Sequence, residues 1–336
     1  MEQFYIPDGY RSELSIKETQ RAIKSVKDHF ERQLAKKLNL TRVSAPLFVK
    51  PESGLNDNLN GVERPVRFGV KEQNDAEVEI VHSLAKWKRL ALKQYGFSYG
   101  EGLYTDMNAI RREEELDNIH SIYVDQWDWE KIITQENRNL DYLKLIVRSI
   151  VRAICNTNDR LHVRYPQLRT ELSPEVVFIT SQELEDLYPE LTGSQREREF
   201  VRKHKTACIM QIGRKLRSGK PHDGRAPDYD DWNLNCDIFF WDAVIDRALE
   251  ISSMGIRVDA QALDLQLSEA GCDDRRKLPF HKMLLSGELP LTIGGGIGQS
   301  RLSMLMMGCC HIGEVQSSIW DSETIAACEA AGVPLL

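Results

Sequence analysis

The chain has 336 residues, of which 41% are hydrophobic and 28% charged, and its formal net charge is −7. The composition is that of a globular protein, and the acidic balance argues against a surface that grips a nucleic-acid backbone, because such binding needs clustered Lys and Arg. No secretion signal and no membrane-spanning apolar run is recognisable, and seven cysteines without a C-x-x-C pair indicate neither disulfides nor zinc, so we expect a cytoplasmic protein.

The first strong element along the chain is an amphipathic helix. Ser15 and Glu18 form a capping box, and apolar residues recur behind them at helical spacing, namely Ile16, Ile23, Val26, Phe30, Leu34 and Leu38. The next stretch, L-T-R-V-S-A-P-L-F-V at 40–49, predicts a strand. Pro46 cannot donate a hydrogen bond to a neighbouring strand, which suits an edge, an end or a subunit contact.

Strand and helix signals then alternate irregularly. Strands are predicted at 66–70, 76–81, 122–129, 175–180, 207–213 and 236–241. Helices are predicted at 83–94, 140–160, 181–188, 197–204, 242–252 and 259–269. This order lacks the regular alternation of strand and helix that is typical of a parallel sheet, and it favours an α+β fold with a mainly antiparallel sheet flanked by helices. No linker or repeat divides the sequence, so we expect a single catalytic domain over 1–336.

A glycine-rich stretch follows near the end of the chain, T-I-G-G-G-I-G-Q-S-R-L-S-M-L-M-M. Glycines at this density indicate a backbone that lies close to a ligand. Gln299 replaces the third glycine of a dinucleotide loop, and the Lys of a phosphate loop is missing. The remaining pattern, G-x-G-x-G-x-x-R, puts Gly294, Gly296 and Gly298 on one face of a strand and Arg301 at the start of a helix. We expect a bare glycine surface beneath adenine and Arg301 on a phosphate, with close strand packing as the alternative.

A second segment, M-N-A-I-R-R-E-E-E-L-D-N-I-H-S-I-Y-V-D-Q-W-D-W-E-K, supplies a strand that ends at Arg111, a polar loop and a second strand. Gln126, Asp128 and Glu130 share one face of that second strand. This arrangement resembles motif 2 of the class II aminoacyl-tRNA synthetases, and the glycine strand with Arg301 resembles their motif 3. The first helix and strand resemble motif 1, which builds a dimer interface in that family. The resemblance implies a class II synthetase-like core, an ATP site and a homodimer.

A third segment, D-I-F-F-W-D-A-V-I-D-R-A-L-E-I-S-S-M-G-I-R-V-D, narrows the resemblance. Glu250 and Arg257 are separated as in the aspartyl and asparaginyl synthetases, where an acid helps to bind magnesium and an arginine holds the substrate carboxylate. Asp237 would be the second acid. The resemblance therefore implies an acidic amino acid as substrate. Because the first motif begins by residue 15, we expect no anticodon-binding domain.

Segments across nearly the whole chain resemble the ammonia-dependent asparagine synthetases, or aspartate–ammonia ligases. They include H-S-L-A-K-W-K-R, G-E-G-L-Y-T, R-A-P-D-Y-D-D-W and S-S-M-G-I-R-V-D. The resemblance implies a ligase that makes L-asparagine from L-aspartate, ATP and ammonia through β-aspartyl-AMP, releasing AMP and pyrophosphate. The alternative is a paralogue of the aspartyl or asparaginyl-tRNA synthetases that acts on RNA or as a regulatory subunit.

The resemblance also implies roles for individual residues. The expected catalytic residues are Lys88, Arg111, Asp128 and Arg301, and Arg111 and Arg301 would bind ATP together with Gly294, Gly296 and Gly298. The expected contacts to aspartate and ammonia are Asp57, Ser83, Gln126, Asp230, Ser253 and Arg257. Mg²⁺ would be held by Asp237 and Glu250, since magnesium prefers oxygen ligands. One acid must take a proton, because ammonium is not nucleophilic, and the sequence leaves open which.

Overall fold

The computed structural model of the chain describes residues 4–57, 59 and 63–336. Its strands are β1 Leu40–Arg42, β2 Phe48–Val49, β3 Arg67–Val70, β4 Ala76–Ile80, β5 Gly102–Ile110, β6 Tyr123–Ile132, β7 Val177–Thr180, β8 Thr206–Met210, β9 Asp230–Asp242, β10 Arg247–Arg257 and β11 Thr292–Gly298. Its helices are α1 Ile16–Leu38, α2 Ala85–Gln94, α3 Leu140–Arg164, α4 Ser181–Leu187, α5 Gly193–His204, α6 Ala260–Glu269, α7 Pro279–Leu285, α8 Gln299–Met307 and α9 Ser322–Ala331.

An eight-stranded sheet in the order β1-β5-β6-β11-β10-β9-β8-β7 forms the centre of the fold. The pairs from β5 to β8 are antiparallel, and only the two outermost pairs, β1 with β5 and β7 with β8, are parallel. A smaller antiparallel sheet has the order β2-β4-β3. The prediction of a mainly antiparallel α+β fold is confirmed, with parallel pairing added at the edges. None of the helices in the described ranges combines the length and apolar character that crossing a membrane requires.

Helix α1 forms as its sequence predicts. The Ser15 side chain accepts from the backbone N–H of Glu18, and the Glu18 carboxylate accepts from the backbone N–H of Ser15 at 3.0 Å. The face that carries Val26, Phe30 and Leu34 is buried, where Phe30 packs against a core tryptophan of β6, whereas the predicted Ile16 is 51% exposed at the helix start. Burial of this apolar stripe is what fixes α1 against α3 and the sheet.

The single strand predicted at 40–49 is wrong. The segment forms two short strands that belong to different sheets, β1 in the large sheet and β2 in the small one. The break contains Pro46, which lacks the N–H that a continuous ladder needs and restricts the residue before it. The segment therefore connects the two sheets instead of extending one.

The helix predicted at 242–252 is also wrong, because this segment is the turn between β9 and β10 and the first half of β10. The Asp242 carboxylate accepts from the backbone N–H groups of Val244 and Ile245, and Asp246 has φ of +50°. An aspartate that bonds the backbone two and three residues ahead starts a turn as readily as a helix. The resulting hairpin matters for the site, because β10 carries three of the predicted site residues.

Candidate active site

A cleft of about 370 Å³ opens where β6, β11 and β10 meet α2 and the start of α8. The predicted residues that line it are Asp57, Ser83, Lys88, Arg111, Gln126, Asp128, Asp230, Glu250, Ser253, Arg257, Gly296, Gly298 and Arg301. Asp237 and Gly294 are the two predicted residues outside this lining. The fold thus brings widely separated segments to one cleft, among them those that resemble motifs 2 and 3.

The glycines of β11 lie directly opposite the polar residues of β6. Their register pairs Gly294 with Glu130, Gly296 with Asp128 and Gly298 with Gln126. A strand with alternating side chains therefore places the polar groups of β6 beside the missing side chains of β11. The two patterns read separately from the sequence form one surface.

This surface corrects the expectation of a bare glycine face. A Cβ on Gly294 would lie 2.0 Å from Glu130 Oε2, and one on Gly296 would lie 2.4 Å from Gln126 Oε1. Beside Gly298, in contrast, the nearest atom is Arg301 Cβ at 3.4 Å. Gly294 and Gly296 make room for side chains of β6, whereas a Cβ on Gly298 would meet Arg301 at ordinary van der Waals distance.

Arg257 is held by two buried carboxylates. Its Nε lies 3.1 Å from both oxygens of Glu130, its Nη2 donates to Glu130 Oε2 at 2.8 Å, and its Nη1 donates to Asp230. Burial alone would lower the pKa of Arg257, but Glu130 and Asp230 outweigh it and raise the pKa above its usual value. Among the described residues these contacts use one N–H on each of the three nitrogens, which leaves one N–H on Nη1 and one on Nη2 without a protein acceptor.

Lys88 is 1% exposed, yet it lines the cleft. Its ammonium group donates to the backbone carbonyl of Gly295 at 3.1 Å and lies 3.3 Å from Asp128 Oδ2. Burial lowers the pKa of Lys88, and the Asp128 charge opposes that shift. The lysine is thus fixed to β11 and β6 at the middle of the cleft.

Two arginines stand at one end of the cleft. Arg111 follows β5, and Arg301 lies in the first turn of α8. The Nη1 group of Arg301 donates to the backbone carbonyl of Glu250 at 3.2 Å. Arg111 Nε is buried without a hydrogen-bond partner in the part of the chain that the structure describes. The register places Arg111 beside Ile122, just before β6, and Gly298, three residues before Arg301, beside Gln126. Gln126 is four residues of β6 and about 13 Å from the Glu130 that holds Arg257.

Asp57 differs from the other carboxylates of the cleft. Asp125, Asp128, Asp230 and Glu250 each have a Lys or Arg nitrogen within 4 Å. Asp57 is 3% exposed and accepts from the backbone N–H of Leu59 at 2.9 Å, and no Lys or Arg pairs with it among the described residues. Burial raises the pKa of Asp57, with Lys86 as the main opposing charge. A buried carboxylate without an ion-pair partner is suited to a cation or a proton.

Asp237 and Glu250 lie on neighbouring strands, but no group of three His, Cys, Asp or Glu suited to a metal occurs among the described residues. The Asp237 carboxylate accepts from Arg225 Nη2 at 2.6 Å, and Glu250 lies 3.6 Å from Arg301 Nη1. Enclosure of Glu250 in the cleft and the charge of Asp237 both raise the pKa of Glu250. The two acids therefore repel each other, and each is held by an arginine.

Sequence reasoning missed Arg225, Tyr229 and Glu130 as parts of the site. Arg225 lines the cleft and bonds both the Ser253 hydroxyl and Asp237, and the ring of Tyr229 lies 5.7 Å from Arg257 Cζ. Both belong to the segment R-A-P-D-Y-D-D-W, in which only Asp230 was singled out. An arginine and an aromatic residue beside a predicted site acid were the signal available. For Glu130, the available signal was its place as the last acid in the Gln126, Asp128 and Glu130 pattern of β6.

Comparison with known protein families assigns residues 17–332 to the family described as aspartate–ammonia ligase. The curated aspartate–ammonia ligase of Clostridium tetani is 61% identical over 335 residues, which cover 100% of this chain and 98% of the relative. That of Lactobacillus johnsonii is 57% identical over 332 residues, covering 98% of this chain and 99% of the relative. The similarity thus extends over the whole cleft and both ends of the fold.

Solved structures with the same fold are tRNA synthetases. The asparaginyl-tRNA synthetase of Pyrococcus horikoshii in complex with asparaginyl-adenylate matches with a TM-score of 0.63 and 16% identity, covering 94% of this chain and 74% of that one. The asparaginyl-tRNA synthetase of Entamoeba histolytica matches with a TM-score of 0.60 and 13% identity, covering 90% and 67%. At these identities the likeness establishes the class II synthetase fold alone.

Proposed function

The chain belongs to the aspartate–ammonia ligase family, an enzyme family of asparagine biosynthesis, and we propose that its cleft makes L-asparagine through a β-aspartyl-AMP intermediate, releasing AMP and pyrophosphate. The observation that carries the proposal is the order of charges along β6. Arg111 and Arg301 stand at one end of the cleft, whereas Lys88 and Arg257 stand towards the other. An adenylated amino acid needs this order, because the cationic side chains that bind its phosphate must lie next to those that bind its carboxylates.

At the carboxylate end, Arg257 binds the α-carboxylate of aspartate through its two unengaged N–H groups. A guanidinium with one N–H left on each of two nitrogens can contact both oxygens of a carboxylate. Lys88 neutralises the side-chain carboxylate and directs it towards the phosphate end. Ser83, Gln126 and Ser253 lie in the same lining and orient the amino acid through hydrogen bonds.

At the phosphate end, Arg111 and Arg301 bind ATP. One oxygen of the aspartate side chain attacks the α-phosphorus, a new O–P bond forms, and the bond to pyrophosphate breaks. Positive groups placed where this charge develops stabilise the transition state. The unpartnered Nε of Arg111 supports its role as an anion contact. Gly298 lines the cleft beside Arg301 and would lie against the adenosine of ATP.

Asp237 and Glu250 fit a magnesium ion that arrives with ATP. Magnesium is commonly bound by one or two carboxylates together with substrate phosphates, and two carboxylates that repel each other gain from a shared cation. When bound, the ion neutralises charge on the phosphate oxygens. Asp237 would exchange its contact with Arg225 for the ion.

Asp57 is the acid that receives ammonia. It carries no ion-pair partner among the described residues, whereas Asp128 and Asp230 are paired with Lys88 and Arg257. Ammonium binds to the charged Asp57 and transfers one proton to it, since a buried carboxyl with a raised pKa accepts a proton more readily than an exposed one. The resulting ammonia attacks the acyl carbon, the C–O bond breaks and AMP leaves with the bridging oxygen, while the nitrogen releases a second proton to water to give the amide.

We also propose a homodimer. The small sheet and the segment before it expose Leu47, Phe48 and Phe68, and the two phenylalanine rings contact each other at 5.3 Å between centroids. Neighbouring exposed apolar side chains of this kind favour a protein contact. Sedimentation of the purified protein should give twice the mass of one chain, and a Phe48→Ser variant should shift the balance towards the monomer.

The proposed function is tested with purified protein, aspartate, ATP, magnesium and ammonium chloride. We expect asparagine, AMP and pyrophosphate in equal amounts, and no asparagine when ammonium is omitted. Formation of ADP and phosphate, or transfer of aspartate to tRNA in place of asparagine formation, would contradict it.

A further inference from the structure

A buried charge cluster lies behind the cleft, centred on Asp228. Its Oδ2 accepts from Lys86 Nζ of α2 at 3.1 Å, from Arg275 Nη1 at 3.0 Å and lies 2.9 Å from His281 Nε2 of α7. Asp228 and His281 are fully buried, and Lys86 is 3% exposed. Burial alone would raise the pKa of Asp228, but Lys86, His281 and Arg275 outweigh it and keep the carboxyl charged.

This cluster, defined as Lys86, Asp228, Arg275 and His281, does not belong to the cleft lining. Its neighbours in the chain do. Tyr229 and Asp230 directly follow Asp228, and Lys88 lies two residues after Lys86. Removing a charged network of this kind from water costs free energy, and this network makes no substrate contact of its own. We therefore look for a role of these residues other than stability.

Asp57 and Asp228 share the charge of Lys86. Of the charged groups around Asp57, Lys86 favours its ionised form most, Arg111 favours it more weakly, and Asp228 opposes it. Arg275 and Tyr229 also interact electrostatically with Asp57. Yet the Lys86 ammonium is paired with Asp228, not with Asp57. The cation with the largest effect on Asp57 is therefore held by another carboxylate.

We propose that Asp228 is a positioning residue that holds the Lys86 ammonium away from Asp57, so that Asp57 stays free to bind the substrate ammonium ion and take its proton. The inference rests on the role proposed above for Asp57. His281 and Arg275 contact the same carboxylate oxygen, Oδ2, that accepts from Lys86, and so help to hold that oxygen in place. Lys86 in turn favours the ionised form of Asp57 from a distance and opposes the effect of burial.

The cluster makes a specific prediction about pH dependence. Asp57 must be charged to bind ammonium, so kcat/KM for ammonia falls on the acid side where Asp57 protonates. In Asp228→Asn, a negative charge near Asp57 is lost and Lys86 is released to approach it, which lowers the pKa of Asp57 and moves the acid limb to lower pH. In Lys86→Met, the supporting cation is lost, which raises the pKa and moves the limb to higher pH.

The experiment records kcat/KM for ammonia against pH for the wild type and both variants. Lys86→Arg should restore the wild-type limb, and Lys93→Met, which removes an exposed ion pair with Glu288 from the same helix, is the matched control and should leave it unchanged. Exchange of pyrophosphate into ATP with aspartate but without ammonia should stay near the wild-type rate in every variant, because the cluster does not touch that step.

Opposite shifts in the two variants would support the proposal, and shifts in the same direction or no shift would overturn it. If Asp228→Asn does not fold, the double variant Lys86→Met/Asp228→Asn removes the pair as a neutral unit, and its limb should lie below that of Lys86→Met alone. A limb identical to that of Lys86→Met would contradict the proposal. Failure of the wild-type chain to make asparagine would instead refute the proposed function, so the two outcomes are separable.

Discussion

At the scale of single residues, substitutions of Lys88 and Arg301 test the two halves of the proposed site separately. Arg301→Ala removes a phosphate cation and should lower kcat by about 10²–10³, the usual effect of losing one group that stabilises transition-state charge. Lys88→Met keeps the length of the side chain but removes its charge and should mainly raise KM for aspartate. Steady-state kinetics with each substrate varied in turn measures both effects, and unchanged kinetics in both variants would contradict the assignment.

Gly294 and Gly298 offer a matched pair of substitutions on one strand. Gly294→Ala would place a Cβ 2.0 Å from the Glu130 carboxylate that holds Arg257, so this variant should bind aspartate more weakly. Gly298→Ala meets only Arg301 at 3.4 Å and should affect ATP alone. Binding isotherms for aspartate and for an ATP analogue distinguish these outcomes, and equal loss of aspartate binding in both variants would argue against a specific role for Gly294.

Most of the site residues predicted from the sequence line the candidate cleft, but the contacts between them could not be predicted from it. Arg301 and Lys88 stand in patterns of residue type and spacing that a sequence displays directly. The contact of Glu130 with Arg257 depends on the register between β6 and β11 and on the bulge in β10, which no local pattern encodes. For the same reason Gly294 was taken for a ligand surface when it makes room for a carboxylate.

At the scale of elements, the N-terminal capping of α1 is open to a direct test. Ser15→Ala removes the side-chain acceptor for the Glu18 N–H, and we expect the free energy of unfolding to fall by about 1 kcal/mol. Lys17→Ala, two residues further along the chain on the exposed surface, should change the free energy of unfolding far less. Urea unfolding measures the difference, and a larger loss for Lys17→Ala than for Ser15→Ala would contradict the capping geometry.

The elements also show where local patterns fail. Helix α1 has a cap, a long apolar stripe and helical spacing, and all three agree. The segment 242–252 combines an aspartate with apolar residues at spacings of three and four, and these signals equally describe a hairpin whose turn is bonded to Asp242. The choice was made by tertiary pairing, since β10 lies between β9 and β11 and buries residues on both faces.

At the scale of the whole molecule, the fold accounts for the proposal that one cleft holds two carboxylates, a triphosphate and ammonia. The antiparallel centre of the sheet presents charged residues from β6, β9 and β10 on one surface, and α2 and α8 add Lys88 and Arg301 from above. The same fold serves tRNA synthetases that share 13–16% identity with this chain. The ligase assignment therefore depends on family membership and the residues of the cleft, and not on the fold.

The most direct test of the central claim follows one oxygen atom. With aspartate labelled with ¹⁸O in its side-chain carboxylate, attack on the α-phosphorus leaves a labelled oxygen between carbon and phosphorus, and the C–O bond breaks when ammonia attacks. Mass spectrometry of the products should therefore find one ¹⁸O in each AMP and none in pyrophosphate. Unlabelled AMP, or label in pyrophosphate or inorganic phosphate, would contradict the β-aspartyl-AMP intermediate.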